Sequence, residues 1–197
     1  VDDGGPARLF VAATLPGDVV AALQAARREL ERAGVGRLRW VRPERLHLTL
    51  RFLGSTPMAK VAGVEAALRQ TAHESAPMRL GVDGWGTFGG RRPRVVWAGL
   101  SGEIDELRAC AARLEQRLVA AGFEEDGRAF RPHLTIARVP DRAGREERAR
   151  VAAAVEAITP PEHLGWRIEE LHLVRSHLGP GARYETLASF PLAGSRA

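Results

Sequence analysis

The 197 residues contain one cysteine, one lysine and one tyrosine. A lone Cys110 excludes an intrachain disulfide, and its place in an Ala/Leu/Arg-rich stretch marks it as a packing residue of a protein at home in a reducing compartment. No apolar run is long enough to span a bilayer, and no charged segment followed by an apolar stretch opens the chain; the cytoplasm is the expected location. A phosphate-cradling GxxxxGK[ST] is missing, as is any His/Cys/Asp cluster with metal-ligand spacing. With Lys60 as the only lysine, the formal charge of +5 is carried almost wholly by arginine, whose planar fork suits bidentate phosphate contacts and stacking on bases. That charge suits a polyanionic partner, although abundant Ala, Gly and Arg are also what a GC-rich genome produces. At 45% hydrophobic and 27% charged residues, the composition is that of a folded globular chain rather than a disordered one.

What the sequence does contain is one short pattern twice: Arg45-Leu46-His47-Leu48-Thr49-Leu50 and Arg131-Pro132-His133-Leu134-Thr135-Ile136. Successive side chains of a strand point to opposite faces, so His47 and Thr49 share one face while Leu48 and Leu50 take the core. His133 and Thr135 do the same. Two imidazoles with neighbouring hydroxyls can take and give protons near neutral pH and bind charge developing on phosphoryl oxygens. By symmetry either histidine could serve as acid or as base.

The surroundings repeat as well. A strand at Leu9 to Ala13 and a helix from Asp18 to about Arg32 precede a short strand at Leu38 to Val41 and the first motif strand, Leu46 to Leu53. A helix over Met58 to His73 follows. Strands at Met78 to Val82 and Arg94 to Leu100 flank a glycine-rich turn at Gly84 to Gly90. A helix from Ile104 to Ala121 then leads to the His133 strand, a helix spans Arg145 to Ala157, and strands at Ile168 to Arg175 and Tyr184 to Leu192 close the chain. The repeat predicts an α+β protein in which residues 1–197 form a single bilobed domain. Two duplicated, pseudo-twofold αβ lobes line a central cleft with antiparallel sheets and keep their helices outside.

Several residues are weaker candidates for the site. Arg131, two before His133 on the same face, can hold phosphate or stack on a terminal base. Arg45 holds the equivalent place before His47, where a solvated arginine is the expectation. Phe10 suits either a base platform or the core, and Tyr184 is expected to line the cleft. Trp40, Trp85, Trp97 and Trp166 are expected to pack. His73, His163 and His177 are expected at the surface, and His172, with Val174 in place of a threonine, as a structural strand histidine.

The paired His47-Leu48-Thr49-Leu50 and His133-Leu134-Thr135-Ile136 resemble the tandem HxTx signature of the two-histidine (2H) phosphoesterases. The chain is most similar to the RNA 2′,3′-cyclic phosphodiesterases, historically called 2′-5′ RNA ligases. The likeness extends to Arg8-Leu9-Phe10-Val11-Ala12, Gly86-Thr87-Phe88-Gly89, Arg92-Pro93-Arg94-Val95-Val96-Trp97, Ala137-Arg138 and Tyr184, and so covers essentially the whole chain. The resemblance implies hydrolysis of an RNA-terminal or nucleoside 2′,3′-cyclic phosphate to a 2′-phosphomonoester. It makes His47 the proton donor to the departing 3′ oxygen, His133 the proton acceptor, and Thr49 and Thr135 the phosphate contacts. No cofactor, metal or membrane is implied, a monomer is expected, and family members also join RNA ends in reverse. Two alternatives stay open: a 2H enzyme for 2′,5′-linked oligonucleotides or nucleotide-derived cyclic phosphates, and an RNA-binding module with a vestigial site. Turnover separates the second from the enzymes.

Overall fold

In a computed structural model, residues 5–35, 38–159, 164–177, 179 and 183–195 are described. The elements run β1 (Ala7–Thr14), α1 (Gly17–Arg32), β2 (Arg39–Trp40), β3 (His47–Thr56), α2 (Val61–His73), β4 (Met78–Phe88), β5 (Val95–Gly102), α3 (Ile104–Ala120), β6 (Leu134–Arg138), α4 (Arg145–Ala157), β7 (Gly165–Ile168), β8 (Glu170–His177) and β9 (Arg183–Pro191). Short 3₁₀ turns at Pro43–Arg45 and Met58–Lys60 lead into β3 and α2.

The strands form one antiparallel path, β7-β4-β5-β6-β3-β1-β8-β9, with β2 on β6. Its centre is narrow: β3 and β6 meet in the single register pair Leu48↔Leu134. On either side of this seam the order mirrors, β1 beside β3 and β5 beside β6, which is the expected pseudo-twofold. The lobes are not the two sequence halves, however. The last strand of the first half, β4, pairs with β5 of the second, and β8 returns to pair with β1. Each half thereby completes the other's sheet, and that exchange of strands locks the lobes together.

Helix spacing accounts for how the sheet is covered. Val19, Leu23, Ala26 and Leu30 form the buried stripe of α1, and Leu107, Cys110, Ala111, Leu114 and Leu118 that of α3. These stripes belong to the same apolar cluster as Leu48, Leu50, Leu134 and Ile136. Cys110 is buried there as expected. The opposite sheet face carries only a small cluster of Phe10, Ala12 and Val174 with Tyr184 packed against it.

Two expectations about the strands change. Only the end of the expected turn at 84–90 turns: β4 continues to Phe88, and the reversal begins at Gly89 and Gly90, which take φ of 113° and 55°. Gly86 instead accommodates a neighbour, since a Cβ there would collide with the Trp97 indole across the ladder. Gly86→Ala is therefore expected to cost about 1–3 kcal/mol by overpacking, read as a fall in thermal midpoint; an unchanged midpoint would show that Trp97 can move aside. The expected strand from Ile168 to Arg175 is broken at Glu169, because β7 pairs with β4 in one lobe and β8 with β1 in the other.

Arg148 is the unexpected core residue. It occupies the buried stripe of α4 with Val151 and Val155 and is 5% exposed. Its guanidinium donates to four carbonyls, those of Ala143, Pro140, Asp141 and Pro93, tying the turn before β5 to the loop after β6.

Candidate functional site

Both motifs lie at the seam. His47 opens β3 and His133 immediately precedes β6. In an antiparallel pair centred on Leu48↔Leu134, His47 stands across from Thr135 and Thr49 across from His133. The two leucines are fully buried on the helix side, so the four polar residues form a quadrilateral on the other face. The histidines occupy one diagonal, which in such ladders separates Cβ atoms by roughly 7–8 Å. A phosphoryl group fits between them. Neither threonine hydroxyl has a hydrogen-bond partner among the described residues, so both are available to a ligand.

The rings are held in the same way. His47 Nδ1 lies 2.7 Å from the Arg45 carbonyl and His133 Nδ1 lies 2.7 Å from the Arg131 carbonyl. A carbonyl only accepts, so each Nδ1 carries the proton and each neutral ring keeps an unprotonated Nε2. Burial pushes the proton affinity of both rings below the usual histidine value of 6.5, partly opposed by these carbonyl bonds. The Arg45 charge and His133 depress His47 further, and the Arg138 charge depresses His133. The charge of His133 thus opposes protonation of His47, and the form with one ring protonated and the other neutral has one acid and one base.

A bulge follows each motif at the same place. On β3, Ala12 faces Thr49 and Val11 faces Arg51, leaving Leu50 extra; on β6, Trp97 faces Thr135 and Val96 faces Ala137, leaving Ile136 extra. The slip reverses the alternation. Arg51 turns to the helix side, where it pairs with Glu115 at 2.5 Å, while Phe52 and Arg138 come onto the face of the histidines.

Aromatic rings wall the site. Phe10 lies 4.9 Å from the His47 ring and Tyr184 meets His47 edge-on at 5.3 Å; Phe88 meets His133 edge-on at 4.8 Å and packs on Trp97 at 5.2 Å. Phe10 is only 3% exposed and so supports the imidazole rather than offering a stacking face. Phe52, 50% exposed and 5.9 Å from Phe10, has the accessible ring. Arg131 is exposed and joins the site through its carbonyl. Tyr184 stands between His47 and Arg45.

Arg45 is not a solvated arginine: its guanidinium lies 4.6 Å over the Tyr184 ring and Nη2 donates to the Tyr184 hydroxyl at 3.2 Å. Trp97, expected to pack, is half-buried on the site face beside Thr135. Arg138 and Phe52 were not expected in the site, and only the bulges reveal them. His172 is buried and bonded to Ser189, as expected of a structural strand histidine, and His73 is exposed; His177 is half-buried and pairs with Glu185, and His163 lies outside the described residues. Among the described residues no group of three or more His, Cys, Asp or Glu is placed to hold a metal ion, and no helix is long and apolar enough to cross a membrane.

Acid should weaken the fold. His47, His133 and His172 all bind protons less readily folded than at the ordinary value of 6.5, so unfolding takes up protons below that pH. Their contribution is fully present above about 6.5 and is lost as pH falls through the lowered folded values. Urea midpoints are expected to fall between pH 7 and pH 5; a flat dependence would contradict the burial assigned to these rings.

The family model described as the 2′-5′ RNA ligase superfamily matches residues 15–180. The RNA 2′,3′-cyclic phosphodiesterase of Archaeoglobus fulgidus is 31% identical over 185 residues, 93% of this chain and 99% of the relative. That of Geobacillus stearothermophilus is 36% identical over 159 residues, 79% of this chain but 48% of the relative, so the match spans about half of that protein. Among solved structures, TT0787 of Thermus thermophilus superposes with a TM-score of 0.77 at 32% identity, covering 96% of this chain and all of its own. E. coli LigT, crystallised with 3′-AMP, superposes with a TM-score of 0.76 at 26% identity, covering 95% of this chain and 98% of its own.

Proposed function

As this chain belongs to the 2′-5′ RNA ligase superfamily, we propose that it hydrolyses the 2′,3′-cyclic phosphate at an RNA 3′ end, or of a nucleoside, to a 2′-phosphomonoester. The observation that carries this reading is the pair of imidazoles fixed alike by the carbonyls two residues before them, diagonal across one seam, each facing a threonine hydroxyl.

His133 takes a proton from water through Nε2 as the water oxygen attacks phosphorus. The P–O3′ bond breaks, and His47, protonated on both nitrogens, gives its Nε2 proton to the departing 3′ oxygen. One proton enters the pair and one leaves, so the products are a 2′-phosphate and a 3′-hydroxyl, and exchange with solvent restores the starting forms. The family resemblance makes His47 the donor; the charges of Arg45 and Arg138 act alike on the two rings. Thr49, Thr135 and Arg138 bind the non-bridging oxygens as charge builds there. Phe52 and Tyr184 flank the terminal nucleoside, with Phe10 beneath His47 and Arg131 at the rim. Such a site needs no cofactor or metal.

Among the described residues the exposed large apolar side chains are Phe52, Met58 and Val119, too scattered for a homodimer patch, which supports action as a monomer. The buried free thiol suits a cytoplasmic protein.

The pH–rate profile tests the proton transfers. A bell is expected for kcat/KM, with its basic limb below about 6.5, since both free-enzyme rings lose protons early. The bound phosphate anion raises both proton affinities, so the kcat profile should lie at higher pH than that of kcat/KM. A single-limbed profile would rule out paired acid and base.

A further inference from the structure

The two arms of the site differ at positions the pseudo-twofold makes equivalent. One step beyond the bulge, β3 presents Phe52 and β6 presents Arg138. Arg138 is also in register with Arg39 of β2, and the Val41 amide donates to the Ile136 carbonyl to extend that ladder. Residues directly opposed in an antiparallel pair point to the same face, so Arg39 stands beside Arg138 on the face of the histidines. The next pair confirms the sidedness: Trp40 opposes buried Ala137 and packs on the helix side, where Arg27 of α1 lies 5.3 Å over its ring.

Two opposed arginines repel each other. Some arginines elsewhere have carboxylate partners, as in Arg27–Glu31, Arg108–Asp105 and Arg117–Glu74. Arg39 and Arg138 are both exposed, and among the described residues neither has a carboxylate within ion-pair distance. An uncompensated like-charge pair adjoining the phosphate site is an anion site by its chemistry. Arg138 is near enough to His133 to depress its proton affinity, whereas Arg39 lies one strand further out, about 4.8 Å in a sheet. Arg39 thus stands outward of Arg138, on the side where a second phosphate linked to the first would lie.

We infer that Arg39, beside Arg138 on the β2/β6 ledge, binds the internucleotide phosphate preceding the terminal nucleotide, so that the site prefers RNA ends to free nucleoside cyclic phosphates. The inference rests on the cyclic phosphodiesterase reading above and adds a partner to it: single-stranded RNA that leaves the cleft over β6, with its terminal base toward the aromatic arm.

The test compares wild type, Arg39→Gln and Arg150→Gln, the last an equal loss of charge at an exposed position of α4. Substrates are a short oligoribonucleotide with a 2′,3′-cyclic phosphate end and adenosine 2′,3′-cyclic phosphate. Arg39→Gln is expected to lower kcat/KM about tenfold on the oligonucleotide, chiefly through KM, and less than twofold on the nucleoside. Its salt slope on the oligonucleotide should flatten by about 0.7, the value of one single-strand phosphate contact. Arg150→Gln should change neither. Equal losses on both substrates, no loss on the oligonucleotide, or an equal effect from Arg150→Gln would overturn the ledge. Anisotropy titration of a labelled oligonucleotide ending in a 2′-phosphate keeps the two claims separate: a weaker Kd in Arg39→Gln upholds the ledge even if wild type turns over neither substrate, which would instead refute the proposed activity.

Discussion

Replacing either His47 or His133 by alanine is expected to lower kcat on a cyclic-phosphate RNA end by about 10²–10⁴, the usual worth of one positioned acid or base. The fold should survive, because both rings are only half-buried at the edge of the seam while Leu48 and Leu134 beneath them are untouched. The double variant should be little worse than either single one, since an acid without its base has no step to complete. The roles separate by leaving group. A p-nitrophenyl phosphodiester expels an oxygen that needs no proton, so His47→Ala should lose far less on it than His133→Ala. Equal losses would reverse or dissolve the assignment of His47 as donor. His47→Ala should also lose the basic limb of the pH profile and His133→Ala the acidic one.

Arg148→Met is expected to destabilise the protein by about 3–5 kcal/mol, measured by urea denaturation, although it lies away from the histidines. Methionine fills the stripe beside Val151 and Val155, but it leaves the carbonyls of Pro93, Pro140, Asp141 and Ala143 without the guanidinium. An unpaired buried polar group costs about 1–3 kcal/mol; the Pro140 carbonyl keeps the Ala143 amide, and local relaxation rescues some of the others. Arg148→Lys should recover little, because one ammonium cannot fork to carbonyls on two separate loops. A loss below about 1 kcal/mol would mean that water reaches these carbonyls once the side chain is gone.

The two HxTx strands were legible because alternation of polar and apolar residues is a local signal, and a strand's faces follow from it without knowledge of its neighbours. The helices were legible for the same reason, through the spacing of Val19, Leu23, Ala26 and Leu30 and its counterparts. What the sequence hid depends on pairing. The bulges at Leu50 and Ile136 are defined only by the strands opposite, and they decide that Phe52 and Arg138, rather than Arg51, reach the site. Gly86 reads as part of a turn in isolation, yet opposite Trp97 it is the β4 residue that lets an indole lie across the sheet. Arg45 looks solvated until Tyr184, 139 residues away, is brought under it. Arg148 looks like one more surface arginine of α4 until four carbonyls from two loops surround it.

The most direct measurement is the product formed from an RNA ending in a 2′,3′-cyclic phosphate in ¹⁸O-labelled water, resolved by mass and by phosphate position. Wild type should yield a 2′-phosphomonoester carrying one ¹⁸O, and His47→Ala and His133→Ala should yield almost none in the same time. A 3′-phosphomonoester, or an unreacted end on RNA that the folded protein nevertheless binds, would contradict the histidine pair as the centre of this chemistry.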